Sequence, residues 1–441
     1  MSKEWNGVED AIEDPEEIRV IFCALDSFSQ YAKNAHMTCT HFRRQAFYAL
    51  PQAHWQMLAN PPFNYLDTLN RVDDAIESNA ELARIIVKTG LRSFGMVEPD
   101  QEAAMPEEWM GIAKHNDLDK ARSTIRQFYR DWSSEGGVER DACYGPVFRA
   151  LEIETARRIA SLKQADTTAQ THAETPASAT SPLRVLVPGA GLGRLVFDLC
   201  RLGYDTEGNE ISYHQLLASS YILNSCERAR RHTIYPWIHS FSNHRSRANQ
   251  FASYSVPDVH PQQSLAETTA AGDKIGTMMM CAADFLCLYG DDAHEGIYDA
   301  VAAVFFLDTA PNLIRYLEVI RHCLRPGGVL INVGPLLWHW ENHVPGYHGF
   351  DGDGDGDHDA NESMGIADPG SFELTDDEVV ALVRKMGFVI ETRQSGITAP
   401  YVQDAQSMLQ TTYRASHWIA RKPEPGEVVT QLKTAAISTN Y

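Results

Sequence analysis

Apolar side chains recur every three or four positions through most of the first 160 residues, which is the spacing of amphipathic helices. The pattern is clearest in residues 16–35, 41–58, 72–91 and 118–162. The glycine pair at 136–137 interrupts the last stretch, which predicts two helices joined by a loop. We therefore expect an N-terminal helical region over residues 1–163.

Strand-like apolar runs alternate with helical patterns after residue 183. Strands are predicted at residues 183–187, 274–286 (ending at Asp284), 298–308 and 325–338, a helix at 311–324, a helix followed by a strand within 375–397, and an antiparallel edge strand at 416–422. This alternation is typical of an α/β fold whose sheet is mainly parallel and whose crossovers are right-handed. We predict a Rossmann-like core over residues 183–345, which residues 371–441 complete.

Two segments lack the pattern of a folded core. Residues 164–182 are rich in Thr, Ala, Ser and Pro and are expected to form a linker. Residues 346–370 contain an acidic Asp-Gly repeat, which we interpret as a disordered insertion. Positions 351–362 fit the spacing of a calcium loop, but the flanking sequences are not helical, so calcium binding is not the favoured interpretation.

Charge and composition narrow the classes of function. The 441 residues carry a formal net charge of −21, which argues against nucleic acid and anionic membranes as partners. The hydrophobic fraction of 44% is that of a folded globular protein. Eight scattered cysteines form no C-x-x-C pair, and the acidic N-terminus does not resemble a leader peptide. We expect a cytoplasmic protein, also present in the nucleus.

A glycine turn follows the first predicted strand and carries the strongest functional signal. Gly189, Gly191 and Gly193 form G-x-G-x-G before a helix, and Glu210 ends the next strand. Glycines let a ligand approach the backbone, and a carboxylate about 20 residues later suits the hydroxyls of an adenosine ribose. Arg194 stands where a dinucleotide turn would continue toward its third glycine, so the spacing favours S-adenosylmethionine over a nicotinamide cofactor. A turn that serves only strand-to-helix packing is the alternative.

Two carboxylates are predicted near the carboxyl ends of further strands, where ligands of open α/β sheets bind. Asp284 and Phe285 suit an adenine ring. The carboxylate of Asp284 could accept a hydrogen bond from the exocyclic amine, and the phenyl ring of Phe285 could stack on the face of the adenine. Asp308 could orient a nucleophile and accept its proton. The alternative for either aspartate is to cap the helix that follows, which is the predicted helix 311–324 for Asp308.

Histidines and tryptophans cluster in GPLLWHWENHVPGYH after the predicted strand 325–338. His339 and His343 have the spacing of two metal ligands on one helix face, but the sequence offers no evident third ligand. We expect no metal here and interpret the segment as part of an aromatic, imidazole-lined substrate pocket.

Long motifs on both sides of the linker resemble the carnosine N-methyltransferase family. They are QFYRDWSSEGGVERDACYGPV, LVPGAGLGRLVFDLCRLGYDTEGNE, the AADF step, FFLDTAPNLIRYLEVIRHCLRPGG and INVGPLLWHWEN. The resemblance extends from about residue 16 to 422 and implies a methyltransferase fold that binds S-adenosylmethionine, with the N-terminal helices contributing to the cofactor site.

The resemblance also assigns roles to individual residues. Together with Gly191 of the turn, the implied cofactor contacts are Gln127, Arg130, Gly189, Glu210, Asp284 and Phe285. The implied substrate contacts are Asp308, His339, Tyr401 and Tyr413. Its chemistry supports the cofactor role of Arg130 independently of the resemblance, because a guanidinium pairs well with the methionyl carboxylate of S-adenosylmethionine.

The implied reaction transfers a methyl group to an imidazole nitrogen of carnosine or a related histidine-containing dipeptide, giving an anserine-type product. Asp308 is the expected catalytic residue, and a homodimer is the implied assembly. The residues leave three alternatives open: methylation of a histidine in a protein or peptide, a non-catalytic scaffold of the same fold, and, more remotely, a dehydrogenase.

Overall fold

A computed structural model describes residues 15–95, 104–168, 181–342 and 370–426. The acidic Asp-Gly insertion with its calcium spacing, His343 and most of the linker at 164–182 lie outside these ranges. None of the helices within them is long and apolar enough to cross a membrane.

Helices dominate the N-terminal part, and strands alternate with helices after residue 183. The helices are α1 (Pro15–Ser29), α2 (Tyr31–Ala35), α3 (Phe42–Tyr48), α4 (Gln52–Ala59), α5 (Tyr65–Ser93), α6 (His115–Trp132), α7 (Gly137–Thr168), α8 (Arg194–Arg201), α9 (Tyr213–Ser220), α10 (Arg247–Gln250), α11 (Pro261–Ala270), α12 (Phe285–Tyr289), α13 (Leu313–Cys323) and α14 (Asp376–Lys385). The strands are β1 (Arg184–Pro188), β2 (Asp205–Glu210), β3 (His232–Ile234), β4 (Tyr254–Val256), β5 (Met278–Ala282), β6 (Tyr298–Val304), β7 (Leu324–Gly334), β8 (Val389–Pro400) and β9 (Thr412–Arg421).

Seven strands form one sheet in the order β5-β2-β1-β6-β7-β9-β8, and β3 pairs with β4 separately. The pairs β1–β6, β2–β5 and β6–β7 are parallel, whereas β7–β9 is antiparallel. In register, Glu210 lies opposite Ala282, and Val304 lies opposite Val333. The mainly parallel α/β sheet predicted from the alternating pattern is confirmed.

Several predicted boundaries were wrong for identifiable physical reasons. Strand β5 ends at Ala282 because Asp284 caps α12, and β6 ends at Val304, before a 3-10 turn that contains Asp308. Strand β9 is antiparallel as predicted but lies between β7 and β8, so it is not an edge strand. Helix α7 continues to Thr168, five residues into the predicted linker.

The chain divides into two compact units, each with its own apolar core. The first unit comprises Met1–Phe148, Val187–Ala283 and Ile397–Arg414, and the second comprises Arg149–Leu186, Asp284–Gly396 and Ala415–Tyr441. Large fully buried side chains of the first unit are Phe22, Leu25, Phe28, Leu69, Ile76, Phe128, Trp132 and Phe197. Those of the second unit are Tyr289, Tyr298, Phe388 and Trp418.

Strand β2 is polar in sequence (DTEGNE) but buried along most of its length, so local packing must compensate. A Cβ atom at Gly208 would lie 2.5 Å from Met280 Sδ and 2.7 Å from Val196 Cγ2, which leaves no room for any other residue without a shift. The hydroxyl of Thr206 donates to the carbonyl of Val196 at 3.2 Å. Close contact with α8 therefore fixes the strand that ends in Glu210.

Candidate active site

The glycine turn of the first unit connects β1 to α8. Gly189, Gly191 and Gly193 have φ angles of +66°, +57° and +74°, which residues with a side chain rarely adopt. The N–H of Ala190 donates to the carbonyl of Asn209 at 2.9 Å, which holds the turn against β2. A Cβ on Gly191 would lie 3.2 Å from Gln127 Nε2, so this position is also close to α6.

Glu210 is the buried carboxylate at the end of β2. Its Oε2 accepts a hydrogen bond from the N–H of Gly191 at 2.8 Å, and its Oε1 accepts from the N–H groups of Ile211 and Ser212 at 2.9 Å each. Burial raises the pKa of Glu210, although these three donors act in the opposite direction. The carboxylate therefore holds the glycine turn directly.

Helix α6 brings Gln127 and Arg130 to the same carboxylate. Gln127 Nε2 donates to Asp131 Oδ2 at 2.9 Å, and Arg130 Nη1 donates to Asp131 Oδ1 at 3.0 Å. Gln127 Oε1 accepts from Gln215 Nε2 at 2.8 Å. Burial works against the charge of Arg130, but nearby acidic groups, among them Tyr144 and Asp131, hold its pKa above the ordinary value. The structure therefore provides a buried, permanently charged guanidinium.

The two predicted substrate tyrosines lie near Arg130 in the same unit. The guanidinium carbon of Arg130 is 4.8 Å from the ring centroid of Tyr401, whose ring is 6.5 Å from that of Tyr413. The buried Glu139 holds the loop that follows Tyr401. Its Oε2 accepts a hydrogen bond from the N–H of Val402 at 2.6 Å, and its Oε1 accepts one from the N–H of Gln403 at 2.7 Å. Burial raises the pKa of Glu139.

Three residues of this network were missed in the sequence. Asp131 follows Arg130 directly in the QFYRDW motif, so the sequence did contain a signal for an ion pair between them. Glu139 is marked by no local sequence pattern. Arg194 is not simply an obstacle to a dinucleotide: its Nη1 donates to Asp258 at 2.6 Å and its Nε to Asp198 at 3.0 Å. It thereby fixes the start of α8.

In the second unit, Asp284 caps α12 and Phe285 begins it. Asp284 Oδ1 accepts hydrogen bonds from the N–H groups of Leu286 and Cys287 at 2.9 and 3.0 Å. Phe285 is 3% exposed, and its ring packs among those of Tyr289, Phe306 and Tyr316 at 5.3–5.4 Å. The capping interpretation of Asp284 is correct, whereas contacts of both residues with adenine stay predictions.

Asp308 lies in the 3-10 turn after β6 and is 2% exposed. Its Oδ2 accepts from the N–H of Leu337 at 2.8 Å, and its carbonyl oxygen accepts from the N–H of His339 at 3.0 Å. Burial raises the pKa of Asp308, while the Leu337 N–H and His339 favour its charged form. Asp308 does not cap α13, because Asn312 does so through the N–H groups of Ile314 and Arg315. The capping alternative for Asp308 was therefore wrong.

Potential metal ligands do not converge anywhere in the described ranges, where no group of three or more His, Cys, Asp or Glu side chains could hold an ion. His343, the partner in the predicted His339 pair, lies outside those ranges.

An open, mainly parallel sheet, a glycine turn after its first strand and a buried carboxylate at the end of its second strand define an S-adenosylmethionine-dependent methyltransferase. Comparisons with known proteins agree. The family model for carnosine N-methyltransferase matches residues 107–424. The chain belongs to the carnosine N-methyltransferase family.

Individual relatives match over nearly the whole chain. A carnosine N-methyltransferase of Schizosaccharomyces pombe is 33% identical over 412 residues, covering 92% of this chain and 97% of the relative. That of Mus musculus is 31% identical over 403 residues, covering 91% and 85%. Among solved structures, a methyltransferase of Methanosarcina mazei aligns with a TM-score of 0.32 and 14% identity, over 57% of this chain and 100% of its own. The family assignment rests on the sequence matches.

Proposed function

We propose that this protein methylates an imidazole nitrogen of carnosine or a related histidine-containing dipeptide and yields an anserine-type product. The observation that carries the proposal is the buried carboxylate of Asp308, which is bonded to the Leu337 N–H and shares a backbone hydrogen bond with His339. The Leu337 N–H is a neutral donor, so this hydrogen bond does not cancel the charge of the carboxylate. The negative charge of Asp308 is thus available to interact with the substrate that accepts the methyl group.

The residues of the first unit fit S-adenosylmethionine chemically. Gly191 has no side chain to separate its backbone from a ligand beside Gln127, and Glu210 offers the carboxylate that ribose hydroxyls require. Arg130 provides a buried cation for the methionyl carboxylate. When bound, the cofactor supplies an electrophilic methyl group on a sulfonium.

Imidazole is a suitable acceptor because its neutral form has a free lone pair near pH 7, with an ordinary pKa of about 6.5. The nitrogen lone pair forms the new N–C bond, and the electrons of the broken C–S bond remain on sulfur. The ring then carries a positive charge until its other nitrogen loses its proton. The enzyme therefore needs to select a tautomer and orient the ring.

Asp308 is proposed to accept the N–H of the nitrogen that does not attack. This hydrogen bond selects the nucleophilic tautomer and stabilises the charge that develops on the ring. His339 and the tyrosines Tyr401 and Tyr413 are proposed to hold the ring and the peptide portion. This role requires the ionised form of Asp308, which the Leu337 N–H and His339 favour against the effect of burial.

An acceptor panel tests this proposal with the full chain. Purified protein and methyl-labelled S-adenosylmethionine are incubated with carnosine, homocarnosine, free histidine and a histidine-containing peptide, and the labelled atom is located by NMR. We expect transfer to an imidazole nitrogen, with the dipeptides as the best acceptors. Preferred transfer to the longer peptide would favour a protein-histidine methyltransferase. Absence of transfer to any imidazole, despite cofactor binding, would favour the scaffold.

A further inference from the structure

The carboxylate of Asp131 is buried in the last turn of α6, beside two side chains that the family resemblance assigns to the cofactor. Its Oδ2 accepts a hydrogen bond from Gln127 Nε2 at 2.9 Å, and its Oδ1 accepts one from Arg130 Nη1 at 3.0 Å. The side chain of Asp131 is only 3% exposed. Because its oxygens are buried and engaged, we expect Asp131 to act on the cofactor through its neighbours.

Asp131 fixes the orientation of the Gln127 amide. A carboxylate that is paired with a guanidinium only accepts hydrogen bonds, so the nitrogen of Gln127, and not its oxygen, must face Asp131. The oxygen, Gln127 Oε1, accepts from Gln215 Nε2 at 2.8 Å. Gln215 can serve either orientation by turning its own amide, whereas Asp131 cannot. The direction of this hydrogen-bond chain is therefore set by Asp131.

The nitrogen of Gln127 lies beside the glycine turn. A Cβ atom on Gly191 would be 3.2 Å from Gln127 Nε2, and Gln127 is only partly buried. An amide nitrogen carries two N–H groups, and Asp131 accepts from one of them, so the other can donate to a ligand at the turn. Gln127 should thus meet the cofactor as a hydrogen-bond donor.

A donor at this position distinguishes the two polar groups at the methionyl end of S-adenosylmethionine. The carboxylate accepts hydrogen bonds, whereas the ammonium group only donates them. The N–H of Gln127 can therefore pair with the carboxylate, which is also the group expected to pair with Arg130. An amide turned around would place its oxygen beside Gly191 and would favour the ammonium group instead.

We propose that Asp131 is a positioning residue of the cofactor site, which orients the amide of Gln127 so that a donor faces the methionyl carboxylate. Asp131 follows Gln127 by four residues on α6, a spacing at which side chains of one helix meet. The proposal depends on S-adenosylmethionine as the cofactor and not on the identity of the acceptor. It gives Asp131 a role in cofactor selectivity beyond its ion pair with Arg130.

Asp131→Asn should turn the amide of Gln127 around. The new amide oxygen is expected to stay with Arg130 and with the Tyr144 hydroxyl, because both donate to Oδ1 in the wild type. The new amide nitrogen then faces Gln127 and requires its oxygen. The N–H beside Gly191 is thereby lost, although the substitution itself lies at a side chain that is not expected to contact the cofactor.

Calorimetry with the full chain compares S-adenosylmethionine with its decarboxylated analogue, which keeps the amine. Asp131→Asn should raise the Kd of S-adenosylmethionine about tenfold and leave that of the analogue within about twofold, as loss of one charged hydrogen bond predicts. Removal of a negative charge alone would have the opposite effect, because it would favour binding of the carboxylate. Asp141→Asn, at an exposed position of the same unit, is the matched control and should change neither Kd.

Gln127→Met removes the same N–H without a change of charge and should show the same selective loss. In the Gln127→Met background, Asp131→Asn should change the ratio of the two Kd values by no more than about twofold, because its effect passes through Gln127. If Asp131→Asn does not fold, as judged by circular dichroism, the selectivity of Gln127→Met decides.

An equal loss for both ligands in either single variant, or tighter binding of S-adenosylmethionine by Asp131→Asn, would overturn the positioning role. A further loss of selectivity in the double variant would overturn it as well. Since no acceptor is present in these titrations, their outcome is separate from that of the acceptor panel.

Discussion

The N–H of Gly191 donates a hydrogen bond to the carboxylate of Glu210 at 2.8 Å, which joins the glycine turn to the end of β2. The same carboxylate accepts from Ile211 and Ser212. Glu210 therefore organises the backbone that is expected to receive the cofactor, in addition to its proposed contact with the ribose. Loss of this side chain should affect both functions.

Glu210→Ala should weaken binding of S-adenosylmethionine by at least tenfold and lower the free energy of unfolding by about 1–3 kcal/mol, because backbone donors lose their acceptor. Calorimetry and urea unfolding measure the two effects. Glu227→Ala, at a side chain that is 83% exposed, is the matched control and should change neither. Unchanged cofactor affinity in Glu210→Ala would contradict the assigned role.

Arg130→Gln should raise the Kd of S-adenosylmethionine about tenfold to a hundredfold, because the methionyl carboxylate would lose a charge-assisted partner. S-adenosylmethionine and an analogue without the carboxylate are compared by calorimetry. We expect the analogue to bind the variant and the wild type alike. An equal loss for both ligands would indicate that Arg130 only supports the fold through Asp131, to which it donates at 3.0 Å.

Glu139→Ala should release the loop that follows Tyr401, since the N–H groups of Val402 and Gln403 would lose their acceptor. We expect the KM for the acceptor to rise severalfold and the free energy of unfolding to fall by about 1–3 kcal/mol. Steady-state kinetics with carnosine and urea unfolding provide the readouts. Glu135→Ala, at an exposed position of the same unit, is the control. An unchanged KM would separate this loop from acceptor binding.

Local spacing was sufficient to predict the elements around the glycine turn. Glycines at 189 and 191 need backbone angles that other residues avoid, and Glu210 follows at a fixed offset along one strand-helix-strand unit. The α/β class followed from the alternation of patterns, and the family was recognised from long motifs. All of this information is encoded within short stretches of sequence.

Contacts between distant parts of the chain could not be predicted. Glu139 accepts hydrogen bonds from residues more than 260 positions away, and no local pattern marks either end of that contact. The place of β9 inside the sheet likewise depends on pairing with β7, not on its own sequence. The capping alternative for Asp308 was likewise wrong, because only the structure shows that Asn312 caps α13.

The buried carboxyl of Asp308 should make stability depend on pH. Because burial raises its pKa, the folded state holds this proton more tightly than the unfolded state. Its contribution to stability is therefore present at low pH and is lost as the pH rises through the folded-state pKa. Asp308→Asn should be more stable than the wild type at pH 7.5, and the difference should shrink at pH 4.

Urea unfolding at the two pH values measures this difference. Asn312→Ala, which removes the cap of α13, is the control and should lose about 1 kcal/mol at both pH values. Equal stability of Asp308→Asn and the wild type at pH 7.5 would contradict a costly buried charge.

Single-turnover transfer from S-adenosylmethionine to carnosine, measured together with cofactor affinity in Asp308→Asn, addresses the catalytic role most directly. We expect the transfer rate to fall by roughly a hundredfold or more, as for loss of a positioned proton acceptor, while the Kd of S-adenosylmethionine stays within twofold. Asp292→Asn, at an exposed position of the same unit, should transfer at the wild-type rate. A variant of Asp308 that transfers normally, or that loses cofactor affinity in proportion to rate, would show that this carboxylate does not steer the imidazole.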